Sequence, residues 1–163
     1  METSVLKIDL KTIIVDVVLL GIMAFVPALS HLMGLPIRVI EPMRIALLAG
    51  MLLVNDHRNA YLLAVLLPLI STLTTGFPAG AKCCLMIVEM FANVALFGLF
   101  ERKFSVWTSM ALSILVSKVV YDGLIALIIG GVVMTTPWYT QLVVILALSL
   151  GYALIFKFIA TNK

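Results

Sequence analysis

One carboxylate stands out in the run 81-AKCCLMIVEMFAN-93: Glu89, set among apolar residues about two turns into a helical stretch. A charged side chain there costs several kcal/mol unless it meets a partner or a polar cavity, so the residue asks for an explanation in chemistry. Lys82, Met86, Glu89 and Asn93 recur at 4-3-4 spacing and share one helix face, which the carboxylate turns inward. Further along, Lys118, Tyr121 and Asp122 put a cation, a phenol and a carboxylate on adjoining positions. Lys118 and Asp122, four apart, either neutralise each other or join Glu89 and Asn93 as the floor of a ligand pocket opening outward. Trp138 and Gln141 follow at near-helical spacing with Ser149 and Tyr152, and Trp138 reads either as an interfacial anchor or as a pocket wall. Cys83 and Cys84 are neighbours in sequence, poorly placed for a disulfide with each other, and need no role beyond apolar packing. His31 reads as a wetted interfacial side chain.

The motifs of enzymes are missing. There is no H-E-x-x-H, no G-x-S-x-G and no cluster of two histidines with acids, so catalysis by this chain is not expected. There is no G-x-x-x-x-G-K-[ST] either, and any ATP must be hydrolysed by a partner. A small channel or proton-coupled carrier remains a competing class, with Glu89, Lys118 and Asp122 as a relay.

The elements that must position these residues are membrane helices. The 163 residues are 63% hydrophobic and 12% charged, far from the balance of soluble domains. The apolar runs predict one all-α integral membrane domain over 1–163, a six-transmembrane-helix bundle with helices near 13–33, 42–55, 60–76, 81–100, 105–131 and 138–158. Six spans of about 20 residues would use roughly 120 residues, leaving no room for a soluble domain. The second span is short and must be helped by Arg44 snorkelling, by local thinning of the bilayer or by burial within the bundle. The start METSVLKIDLKT reads as a short tail, not a cleaved signal. With N- and C-termini cytoplasmic, the inner side holds Lys7, Lys11, Arg58, Arg102, Lys103, Lys157 and Lys163, and the outer side only Arg38, Arg44 and Lys82. That excess obeys the positive-inside rule, and the net charge of +3 becomes a topology signal that needs no nucleic acid. Asp16 reads as an acid near the cytoplasmic start of helix 1, favoured by the helix dipole.

Two stretches carry a family resemblance. Gly21, Ala24 and Ala28 form a small-residue stripe on helix 1. Ser71 and Leu73-Thr74-Thr75-Gly76-Phe77-Pro78 are followed half a helix later by Ile87-Val88-Glu89-Met90. The chain thereby resembles the S components of energy-coupling factor (ECF) vitamin importers: six-helix proteins of the prokaryotic cytoplasmic membrane that capture a vitamin or related micronutrient at the outer face. The resemblance implies docking through Ala24 and Ala28 on an ECF transmembrane coupling subunit driven by two ABC ATPases. It implies gating by loops at 34–44, 76–80 and 132–141, which include Arg38, Gly76, Phe77 and Pro78, and ligand contact by Glu89 and Asn93. No intrinsic cofactor is implied. Pro27 inside the stripe, and Phe77 where the family usually has Met, depart from the pattern. Likeness to cobalamin-binding S components implies a sharper alternative, in which a thiolate of Cys83 or Cys84 is a cobalt ligand, with His31 the other candidate.

Overall fold

The computed structural model describes residues 10–33, 41–54, 56–76, 80–129 and 138–161, with side chains omitted at 27–33, 129, 138–139 and 160–161. All regular structure among them is helical: α1 (Leu10–Met33), α2 (Pro42–Val54), α3 (His57–Thr75), α4 (Ala81–Phe100), α5 (Val106–Ile129) and α6 (Trp138–Thr161). The helices follow the expected spans to within three residues at each described end.

Local chemistry sets those ends. Pro42 occupies the first position of α2, where its missing N–H would have no helical partner, and the Glu41 carbonyl accepts from the Arg44 and Ile45 amides at 2.9 and 3.2 Å. Asp56 caps α3 by accepting from the Arg58 amide at 2.9 Å. Gly76, at φ 70°, ends α3 in the left-handed conformation that glycine adopts without penalty. Ser105 caps α5, its hydroxyl accepting from the Thr108 amide at 3.3 Å.

Helices α1, α2 and α3 each pack on the other two; α4 packs on α3 and α5, and α6 on α5 and, more lightly, α2. The core runs through Met23, Leu47, Leu63, Leu67, Val94, Met110 and Ile114. Gly50 marks a close crossing: a Cβ there would collide with Leu63 Cδ1 and lie 3.3 Å from Leu19 Cδ1. Along α5, Ser109, Ser113 and Ser117 are fully buried at four-residue spacing, a seam of small residues on the face that meets its neighbours.

Among the described residues, three helices are long and apolar enough to cross a membrane: Ala81–Phe100, Val106–Ile128 and Thr140–Ile159. Their outward residues, such as Val119, Leu127, Val143 and Leu154, are exposed and apolar, as a lipid-facing surface requires. The others differ for local reasons. Helix α2 has 13 residues, about 20 Å at helical rise. Helix α3 confines its apolar run to Leu62–Ile70, between His57-Arg58-Asn59 and a threonine-rich end, and the apolar stretch of α1 that follows Asp16 runs past Val26, the last of its side chains among those described. The terminal segments 1–9 and 162–163 lie outside the described residues.

Candidate functional site

Glu89 does find a partner, and it is Arg44. The first turn of α2 points the guanidinium across the bundle, where Nη2 donates to Glu89 Oε1 on α4. Nε of the same group lies 3.0 Å from Glu41 Oε2, and Glu41 Oε1 accepts from Lys118 Nζ on α5. Two cations and two carboxylates thus form a continuous chain, Glu89–Arg44–Glu41–Lys118, that ties α2 to α4 and α5 and balances to zero charge when all four are ionised. Burial is severe: Arg44 is 3% exposed and Glu89 5%. Pairing is what makes such burial tolerable, since each charge left alone would retain its full desolvation penalty.

Glu41 lies outside the helices and holds an unusual backbone conformation, φ 50°, where a side chain other than glycine's is strained. The two ion pairs it makes are what the strained backbone holds in place. Burial opposes ionisation of its carboxyl, but Arg44 and Lys118 outweigh burial and hold the pKa below the ordinary glutamate value.

Asn93 lies one turn beyond Glu89 and is 2% exposed. Ser113 Oγ sits 3.0 Å from its Oδ1 and 2.9 Å from the Met110 carbonyl, so one hydroxyl hydrogen serves two acceptors. The Asn93 Nδ2 amide has no partner, and neither has Arg44 Nη1. With Glu41 Oε2 and Ser109 Oγ, four buried polar atoms among the described residues lack a hydrogen bond, a condition that native structures generally reserve for water or ligand.

The remaining expected residues divide. Met86 packs half-buried against the core, while Lys82, in the first turn of α4, is exposed, so the 4-3-4 face is buried only from Met86 onward. Lys118 pairs with Glu41, and Asp122 is exposed; of the readings open for Lys118 and Asp122, mutual neutralisation gives way to this longer-range pair, because Glu41 reaches the ammonium from just before α2. Tyr121 and Gln141 are half-buried. Of the alternatives open for the short second helix, Arg44 snorkelling gives way to burial within the bundle: its guanidinium turns inward because two carboxylates wait there. Cys83 is buried and Cys84 exposed, and both are free thiols. Ala24 is half-buried, and beside it a Cβ built at Gly21 would meet nothing within 4 Å. The side chains of Ala28, His31 and Trp138, and all of Arg38, Phe77 and Pro78, lie outside the described residues. Among those described, no cluster of three His, Cys, Asp or Glu side chains is arranged to hold a metal.

Sequence reasoning passed over Glu41 and gave Arg44 to the surface. The signal was present: Glu-Pro-x-Arg at the head of a short apolar helix is an i, i+3 pair that cannot be shed to water if that helix is central. It also passed over the bond from Asn59 Nδ2 to Asp16 Oδ1, 2.9 Å, which joins α3 to α1.

A second polar region lies at the other end of the bundle, twelve residues along α4 from Glu89, about 18 Å by helical rise. There His57 Nε2 meets Glu101 Oε1 at 3.3 Å beside a cavity of about 300 Å3 walled by Phe97, Tyr152 and Phe156. His57 and Glu101 are largely exposed, unlike the Arg44 pair, and the cavity is separate from the charge chain. Comparison of the chain with protein-family models, curated proteins and solved structures finds no match.

Proposed function

We propose that this protein is the substrate-binding S component of an ECF-type importer, with six membrane spans and both termini in the cytoplasm of a prokaryote. In this reading it captures a vitamin or related micronutrient at the outer face. An ECF coupling subunit and two ABC ATPases then drive delivery. The observation that carries the reading is the balanced chain Glu89–Arg44–Glu41–Lys118, buried at Arg44 and Glu89 and partly open at Glu41 and Lys118, within a bundle that exposes many large apolar side chains. A membrane helix bundle that needed only stability would do as well with hydrophobic residues at these positions, because buried ion pairs seldom add net stability. Convergent polar groups in an apolar wall are what solute capture requires. The family resemblance around Glu89 and the open flank of α1 at Gly21 and Ala24 support the same assignment, the latter as the coupling face.

A proton-coupled carrier is the second reading, favoured by the continuity of the four ionisable groups. One experiment separates the two. Full-length protein extracted in mild detergent is examined by native mass spectrometry beside Glu89→Gln, and is co-expressed with an ECF coupling subunit and its ATPases. A vitamin-sized solute that is lost in the variant, together with a stable complex, is the expected result. Proton flux through the isolated protein in liposomes, with neither solute nor complex, would establish the carrier instead.

A further inference from the structure

The unfilled groups at the charge chain narrow what the solute must look like, an inference that rests on the capture reading above. Arg44 Nη1 is a donor with no acceptor, on a side chain 3% exposed. Asn93, 2% exposed, is held at one end by Ser113 while its other end has no partner. Glu89 and Asn93 are i and i+4 on α4, hence neighbours on one face, and Glu89 holds the other Nη of Arg44. Arg44 on α2 and Asn93 on α4 are thus both tied to Glu89, one by its hydrogen bond and the other by helical spacing.

Charge then decides the kind of group that fills them. The four ionised side chains already sum to zero, and an added carboxylate or phosphate would bring an uncompensated charge into a buried, apolar surrounding. An uncharged acceptor satisfies Arg44 Nη1 without that penalty. A neutral carbonyl oxygen, with two lone pairs, can accept from Arg44 Nη1 and from the Asn93 side-chain N–H, whose own carbonyl Ser113 already occupies. We propose that Arg44 and Asn93 together donate to an uncharged acceptor of the solute, the carbonyl of a carboxamide or lactam or the ring nitrogen of a heteroaromatic edge, and that they select against anionic groups at this position.

The test uses the full chain as extracted from cells. Small molecules released from wild type, from Asn93→Leu and from Asn93→Gln are identified by exact mass and fragmentation, and nicotinamide and nicotinate are added separately as paired probes that differ in an amide against a carboxylate. The expected result is a bound molecule with an uncharged amide-type edge and no carboxylate or phosphate, and about tenfold lower occupancy in Asn93→Leu, the loss of one good hydrogen-bonded contact. Asn93→Gln, which keeps the amide, recovers part of the occupancy and shows that Leu acts through polarity, not through misfolding. An anionic molecule, or tighter retention of nicotinate than nicotinamide, overturns this inference and leaves solute capture standing. A neutral molecule held equally by Asn93→Leu also overturns it. No bound molecule and no response to either probe overturns the capture reading, and this inference with it.

Discussion

Breaking the Arg44–Glu89 pair from each side, and then from both, tests the charge chain directly. In Glu89→Gln the cluster keeps Arg44, Lys118 and Glu41 and carries one net positive charge; in Arg44→Gln it carries one net negative charge. At the 3.0 Å separation of Arg44 Nε from Glu41 Oε2, and an effective dielectric near 20, the gross attraction of one contact is about 5 kcal/mol, most of it offset by desolvation. Removing one partner exposes that offset, and buried pairs broken this way lose about 3–5 kcal/mol. Because glutamine still offers a neutral acceptor to Nη2, about 3 kcal/mol is expected for Glu89→Gln, a fall in Tm of about 6–12 °C for a chain of this size. The double variant restores neutrality, with Glu41 and Lys118 left paired. It should lie well above the sum of the singles, with a coupling energy of about 2 kcal/mol or more. Thermal unfolding of all four proteins in one detergent measures the cycle. Additive effects, within about 0.5 kcal/mol, would refute the reasoning, because groups that touch across helices do not behave independently.

Two other perturbations follow from the same geometry. Gly50→Ala pushes a methyl toward Leu63 and Leu19 at the α1–α2–α3 crossing, and overpacking of about 1–3 kcal/mol should outweigh the gain in helix propensity, lowering Tm in the same assay. The lowered pKa of Glu41 means that the stability it contributes is full above the ordinary glutamate value of about 4.3 and declines as pH falls through the lower folded value; Glu41→Gln should flatten that acid limb of the Tm against pH curve, and an unchanged limb would count against the pairs drawn here.

Much of the fold was legible because apolar period and punctuation are local. Pro42, Asp56, Gly76 and Ser105 each mark a helix end by their own chemistry, and the expected ends differ little from the observed ones. The inward placement of Glu89 and Asn93 was legible for the same reason, since helical spacing alone puts them on one face. What spacing does not contain is which helix lies opposite. Lys118 had a carboxylate four residues away in its own helix and took one from the segment before α2 instead, 77 residues back. Arg44 looked like an interfacial cation because its neighbours in sequence are apolar, whereas its neighbours in space are two glutamates. Lys82 satisfied the periodicity and still faces outward, because periodicity assigns an azimuth and says nothing of how far along the helix the neighbours reach.

The balance of the charge chain has an electrical consequence. A transmembrane potential acts on net charge, about 2.3 kcal/mol per elementary charge per 100 mV. Two cations and two carboxylates displaced together through the field do no net work against it. However far α2, α4 and α5 shift as a unit, the cluster itself is electrically silent.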